Sequence, residues 1–143
     1  MPRAYLLALT VGSSLDQGTN NISLFQLVEQ VNLPPNVPRP PGMQLPLEIH
    51  AYFFVEAADI GKNFEVRFAL RSPLGLEAFT ETTTHRLVTG RYRMKVHGLP
   101  FPAVLGHYEL RIDFRAEHGE FYRDPLSYPV SFVEVNPTPP VTH

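Results

Sequence analysis

The sequence predicts an all-β fold: two antiparallel sheets packed face to face as a sandwich, about seven to nine strands with Greek-key connections. Three observations predict it. Apolar and polar side chains alternate strictly in several short runs, turn sequences bound each run, and fifteen prolines leave no gap long enough for a helical bundle. The chain is 143 residues long, which suits one domain with a real hydrophobic core.

The first element is "RAYLLALTV". Arg3 precedes an apolar run from Ala4 to Val11, which is also how a secretory leader begins. The run is short, one positive side chain precedes it, and no A-x-A-like site follows, so it reads as a buried first strand over 3–11 and leaves a cytoplasmic location as the expectation. Next comes "NISLFQLVEQVNLP". Leu24, Phe25, Val28 and Val31 would make a helical stripe, whereas Phe25, Leu27, Val31 and Leu33 fall at strand spacing. Asn20 or Asn21 could cap a helix, but neither is followed three residues later by glutamate. The turn-forming "DQGTN" before it favours a hairpin of strands 3–11 and 21–32.

A Pro-rich linker over 33–46 holds Pro34, Pro35, Pro38, Pro40, Pro41 and Pro46. Then "LPLEIHAYFFVE" offers Leu45, Leu47, Ile49, Ala51, Phe53 and Val55 to a core. "NFEVRFALR" turns Phe64, Val66, Phe68 and Leu70 inward, and "RYRMKVH" does so with Tyr92, Met94 and Val96. "GHYELRIDFRA" sets Tyr108, Leu110, Ile112 and Phe114 against His107, Glu109, Arg111, Asp113 and Arg115. "SYPVSFVEV" closes the domain at 135 with Tyr128, Val130 and Phe132, and 136–143 is a Pro-rich tail with nothing to bury.

The order of "NNISLFQLVEQVNLP", "FEVRFALRSPLG" and "VHGLPFPAVLGHYELRIDF" resembles an uncharacterised bacterial domain family of about this length, with immunoglobulin-like β-sandwiches as its expected fold. The resemblance implies that fold and a strand at the first segment, and it implies no activity. In "LPFPAVLGHYEL" a tyrosine opens a strand just after a glycine, which makes Tyr108 a candidate tyrosine corner.

Chemistry is bounded mostly by what is missing. There is no cysteine, so disulfides, thiolate metal sites and thiol nucleophiles are excluded. Net charge is −2, with no field to draw nucleic acid or anionic membrane. G-x-S-x-G, G-x-G-x-x-G and Walker sequences are absent. Of the six histidines, His97 and His107 flank "GLPFPAVLG" and, with Asp113 or Glu109, are the only sketch of a metal site; exposed strand-end residues are the preferred reading. The acidic turns "DQGTNN" and "DIGKN" hold one carboxylate each, too little charge for calcium. No cofactor is expected.

Two surfaces remain. Arg91, Arg93 and Lys95 share one face of a strand, either guarding an edge or gripping an acidic partner. His50, Tyr52 and Phe54 fall opposite a core face, where large rings suit a protein partner or self-association. The expectation is therefore a non-catalytic protein-interaction or assembly module, not an enzyme. A small-ligand or carbohydrate binder, with Tyr122 or Phe101 as a stacking platform, is the first alternative. A metal-dependent hydrolase built on His97, His107 and Asp113 is the second.

Overall fold

A computed structural model describes residues 1–35 and 43–135. The tail expected at 136–143, with His143, and the middle of the linker lie outside the described residues. The chain is all-β. The described residues form ten strands: β1 (Arg3–Asp16), β2 (Asn21–Leu27), β3 (Gln30–Leu33), β4 (Gln44–Phe54), β5 (Asn63–Arg71), β6 (Glu77–Phe79), β7 (Thr83–Arg86), β8 (Arg91–Pro100), β9 (Gly106–Ala116) and β10 (Tyr122–Glu134). One 3₁₀ turn, Ala57–Asp59, interrupts them, and no helix among the described residues is long and apolar enough to cross a membrane.

Ten strands exceed the seven to nine expected. The excess comes from β3, β6 and β7, of 4, 3 and 4 residues, which are too short to display alternation. The four-stranded sheet runs β2-β1-β4-β8. The six-stranded sheet runs β3-β10-β9-β5, with β6 and β7 pairing different halves of the outer edge of β5, and it curls into a half-barrel.

The hairpin of β1 and β2 forms as the turn chemistry predicts, with Asp16 Oδ1 accepting from the Gly18 amide at 2.8 Å. The second strand does not run unbroken to 32. Gln26 sits at φ 53°, β2 ends at Leu27, and the chain crosses to the other sheet as β3. There β3 lies parallel to β10, so the pairing is not antiparallel throughout; a chain that changes sheets without reversing meets the last strand in the same direction. Pro46 belongs to β4, not to the linker, and sits at the register shift between Leu45 and Glu48, where a strand tolerates proline.

The alternating residues meet between the sheets. The ring of Phe53 on β4 crosses to Phe64 on β5 and Phe114 on β9, with centroids 5.7 and 5.1 Å away. Each such ring is worth roughly 1.5–3 kcal/mol of burial. At the start of β9, Gly106 has φ +131° and a Cβ there would lie 2.7 Å from Pro73 Cγ, so no other residue fits that approach. Two residues on, the buried Tyr108 donates its hydroxyl to the Val104 carbonyl at 2.7 Å.

Candidate functional site

The register of β4 with β8 decides where the predicted surface residues lie. Phe54 pairs with Arg91, Tyr52 with Arg93, His50 with Lys95, and Glu48 with His97. Paired residues point to the same side of a sheet, so the aromatic face and the basic edge are one surface, the outer face of the four-stranded sheet. β8 is an edge strand of that sheet.

A third strand adds to this surface. A register shift between Ala4 and Leu6 turns Tyr5 of β1 outward. Tyr5 stacks on Phe54 at 5.8 Å and meets Tyr52 edge-on at 6.1 Å, while the Arg3 guanidinium lies 5.4 Å from the Phe54 ring centre. The bulge hides Tyr5 from sequence reading, because alternation through "RAYLLAL" carries no sign of the extra residue.

The far half of the β1–β2 hairpin folds back over the same face. β1 pairs with β4 only as far as Thr10. Beyond it, Ser13 donates its hydroxyl to Glu48 Oε1 at 2.8 Å, and at the hairpin tip the Asn20 carbonyl accepts from Arg93 Nη2 at 2.8 Å. This overturns one expectation: His50 is not an exposed contact residue but is 2% exposed beneath the hairpin. Its Nε2 lies 3.1 Å from Glu48 Oε1, with Lys95 and His97 at 3.9 and 3.6 Å from the other carboxylate oxygen. Burial pushes the Glu48 carboxyl up, but the bonds from Ser13 and His50 and the charge of Lys95 outweigh it and hold the carboxyl below its ordinary range.

Hairpin and sheet enclose two cavities that share Tyr52 and Arg93. One, of about 240 Å³, lies over His50 and Lys95 beneath Ser13 and Ile22. The other, of about 480 Å³, opens at the hairpin tip between Tyr5, Asn20, Asn21, Tyr52, Arg91 and Arg93. Among the described residues the Arg91 guanidinium has no ion-pair or hydrogen-bond partner, and the buried Tyr52 hydroxyl has none either. Burial raises the Tyr52 hydroxyl, Arg93 partly offsets this and Tyr5 adds to it, so the proton stays on at neutral pH.

The sketched metal ligands do not converge. His97 lies beside Glu48 on the four-stranded sheet, while His107 and Asp113 are on β9, six residues apart. His107 bonds Ser131, and Asp113 is held between Arg67 and Arg123 at 3.0 and 2.9 Å. No three His, Asp or Glu side chains among the described residues could hold a metal ion. The two stacking candidates lie at opposite ends of β9. Tyr122, beside Phe114, donates its hydroxyl to the Pro2 carbonyl and packs against Phe114 at 5.8 Å. Phe101 lines an apolar cavity of about 180 Å³ with Leu70, Leu74, Leu76 and Val104. No protein-family model matches the chain, and no curated protein matches it.

Proposed function

We propose that the chain is a non-catalytic binding module of immunoglobulin-like topology that docks an acidic protein segment on the outer face of its four-stranded sheet. Strand order supports the topology. The neighbours β1-β4-β8 and β10-β9-β5 correspond to the A-B-E and G-F-C sets of such sandwiches, and Tyr108 stands at the start of the F position, where it serves as the tyrosine corner. The same order suits the bacterial family that the sequence resembles.

One observation carries the functional reading: the β4–β8 register sets Arg91, Arg93 and Lys95 beside Phe54, Tyr52 and His50, on an edge strand, and among the described residues the Arg91 guanidinium has no partner. An edge strand presents backbone groups to an extended segment, and alternate acidic side chains of that segment would meet the cations. The rings supply desolvated contact area. The test is fluorescence anisotropy with an extended Asp/Glu-rich peptide. Arg91→Gln with Arg93→Gln should weaken binding at least tenfold, and binding should fall as salt rises. Equal affinity in the double variant would remove the reading.

Self-association is a second use of this face, and light scattering at two concentrations separates it; a mass unchanged by Tyr52→Ser with Phe54→Ser counts against it. A small apolar ligand in the Phe101 cavity is favoured by one observation, that Leu74 and Leu76 at its rim are 73% and 71% exposed.

A further inference from the structure

We infer that the cavity at the hairpin tip is a seat for one oxyanion, a carboxylate or phosphate group held by Arg91, Arg93 and the Tyr52 hydroxyl. The inference rests on the acidic-partner reading and names the group that anchors the partner. The cavity is lined by two arginines, Arg91 and Arg93, with Asn20, Asn21, Tyr5 and Tyr52, and no carboxylate is among the lining residues. Two arginines repel a metal cation, and a neutral ligand would leave both charges uncompensated.

The Tyr52 hydroxyl is the second, independent observation. Its oxygen is buried and, among the described residues, has no hydrogen-bond partner, a state uncommon for a buried hydroxyl. Tyr52 lines both cavities, as Arg93 does. Because burial keeps its proton on, it offers a donor to an anion and offers a cation nothing better than a neutral oxygen.

Arg93 is aimed by the hairpin. Its Nη2 donates to the Asn20 carbonyl, which fixes the side chain and leaves its remaining N–H groups for a ligand. The same chemistry is completed internally elsewhere in the molecule. Arg123 donates Nε to Asp113 Oδ1 at 2.9 Å and Nη2 to Glu77 Oε2 at 2.7 Å, so each of its edges meets a carboxylate. At the hairpin tip no such carboxylate is supplied from within, and an external one takes its place.

The test is competition. The acidic peptide is bound to the full chain, then inorganic phosphate or acetate is titrated in at constant ionic strength, with chloride as the control. Phosphate or acetate should displace the peptide where chloride does not, and Arg91→Gln should abolish the displacement. Tyr52→Phe removes one oxygen and keeps the ring; it should weaken phosphate binding about tenfold, the loss of one charge-assisted hydrogen bond. Displacement by phosphate alone would make phosphate the anchoring group, and displacement by both would make it any oxyanion. If the peptide binds and depends on Arg91, but neither anion competes and Tyr52→Phe changes nothing, the seat is overturned while the acidic-partner reading stands. If neither peptide nor anion binds, both fall together.

Discussion

Arginines stand on the outer faces of both sheets, and their fates differ. On the six-stranded sheet, Arg67 and Arg123 close on Asp113, Arg123 also reaches Glu77, and Arg115 pairs with Glu65. The flat guanidiniums then lie against rings: Arg67 is 3.9 Å from the Phe79 centre and 4.0 Å from Phe121, and Arg115 is 4.2 Å from Phe121. On the four-stranded sheet the Arg91 side chain has no partner among the described residues, Arg93 has a backbone carbonyl, and Lys95 is 3.9 Å from a carboxylate that three other groups share. The cause is register. Arg67 faces Asp113 and Glu65 faces Arg115 across β5 and β9, whereas β4 offers β8 only Phe54, Tyr52 and His50 at the matching positions. Identical alternation thus yields a closed structural lattice on one face and unspent charge on the other. That difference separates a face that holds the fold together from one free to bind.

The largest expected effect falls on the closed face. Asp113 is 2% exposed, and removing it leaves Arg67 and Arg123 without their shared acceptor. Asp113→Ala should cost about 3 kcal/mol of stability in urea unfolding, and Asp113→Asn less, since the amide oxygen still accepts. A cost under about 1 kcal/mol would show that the lattice is decorative and would break the contrast.

Acid should act on both faces through different partners. The Arg123 hydrogen bond holds the Glu77 carboxyl below its ordinary value of 4.5 against the cost of burial. For Glu48 burial is the largest single influence and raises the carboxyl, but Ser13, His50 and Lys95 together outweigh it and hold the carboxyl lowered. A carboxyl with a lower pKa folded than unfolded stabilises fully above about pH 4.5, and that contribution is lost as pH falls through the folded value. Urea midpoints measured from pH 6 to 3 should fall below about 4.5 in the parent chain. Glu77→Gln should flatten the fall. Glu48→Gln should flatten it too and, by loosening the anchor of Ser13, speed amide exchange in β2.

The hairpin that covers the binding face hangs on few bonds. Ser13→Ala removes the 2.8 Å bond to Glu48, worth about 1 kcal/mol. Exchange should rise in β2 and stay unchanged in β9, whose protection belongs to the core. Equal change in both would mean that hairpin and core open as one unit.

Strand positions were legible because half-burial imposes a period of two, and "NFEVRFALR", "RYRMKVH" and "GHYELRIDFRA" each span one face of a sheet. Tyr108 was legible from its glycine and turn. The fate of His50 was not, because its cover comes from Ser13 and Ile22, which are distant in sequence. That Arg91 is free and Arg67 is not was equally hidden, since each sits in the same alternating context and only the pairing partner differs. Glu48 reads as one more outward carboxylate until Ser13, His50, Lys95 and His97 gather around it.

The smallest expected effect is the most informative. Among the described residues the Arg91 side chain makes no hydrogen bond or ion pair, so Arg91→Gln should change stability by less than about 0.5 kcal/mol. It should slightly favour folding at low salt, by relieving repulsion from Arg93 and Lys95 on the same strand face, and this gain should vanish at high salt, where like charges no longer sense one another. Unfolding curves at two salt concentrations check it. A stability loss that persists at high salt would place Arg91 in the fold's own lattice, beside Arg67 and Arg123. A salt-dependent gain, paired with lost peptide binding, would mean that this strand keeps its charges unpaired at a cost and uses them to hold a partner, beyond guarding an edge.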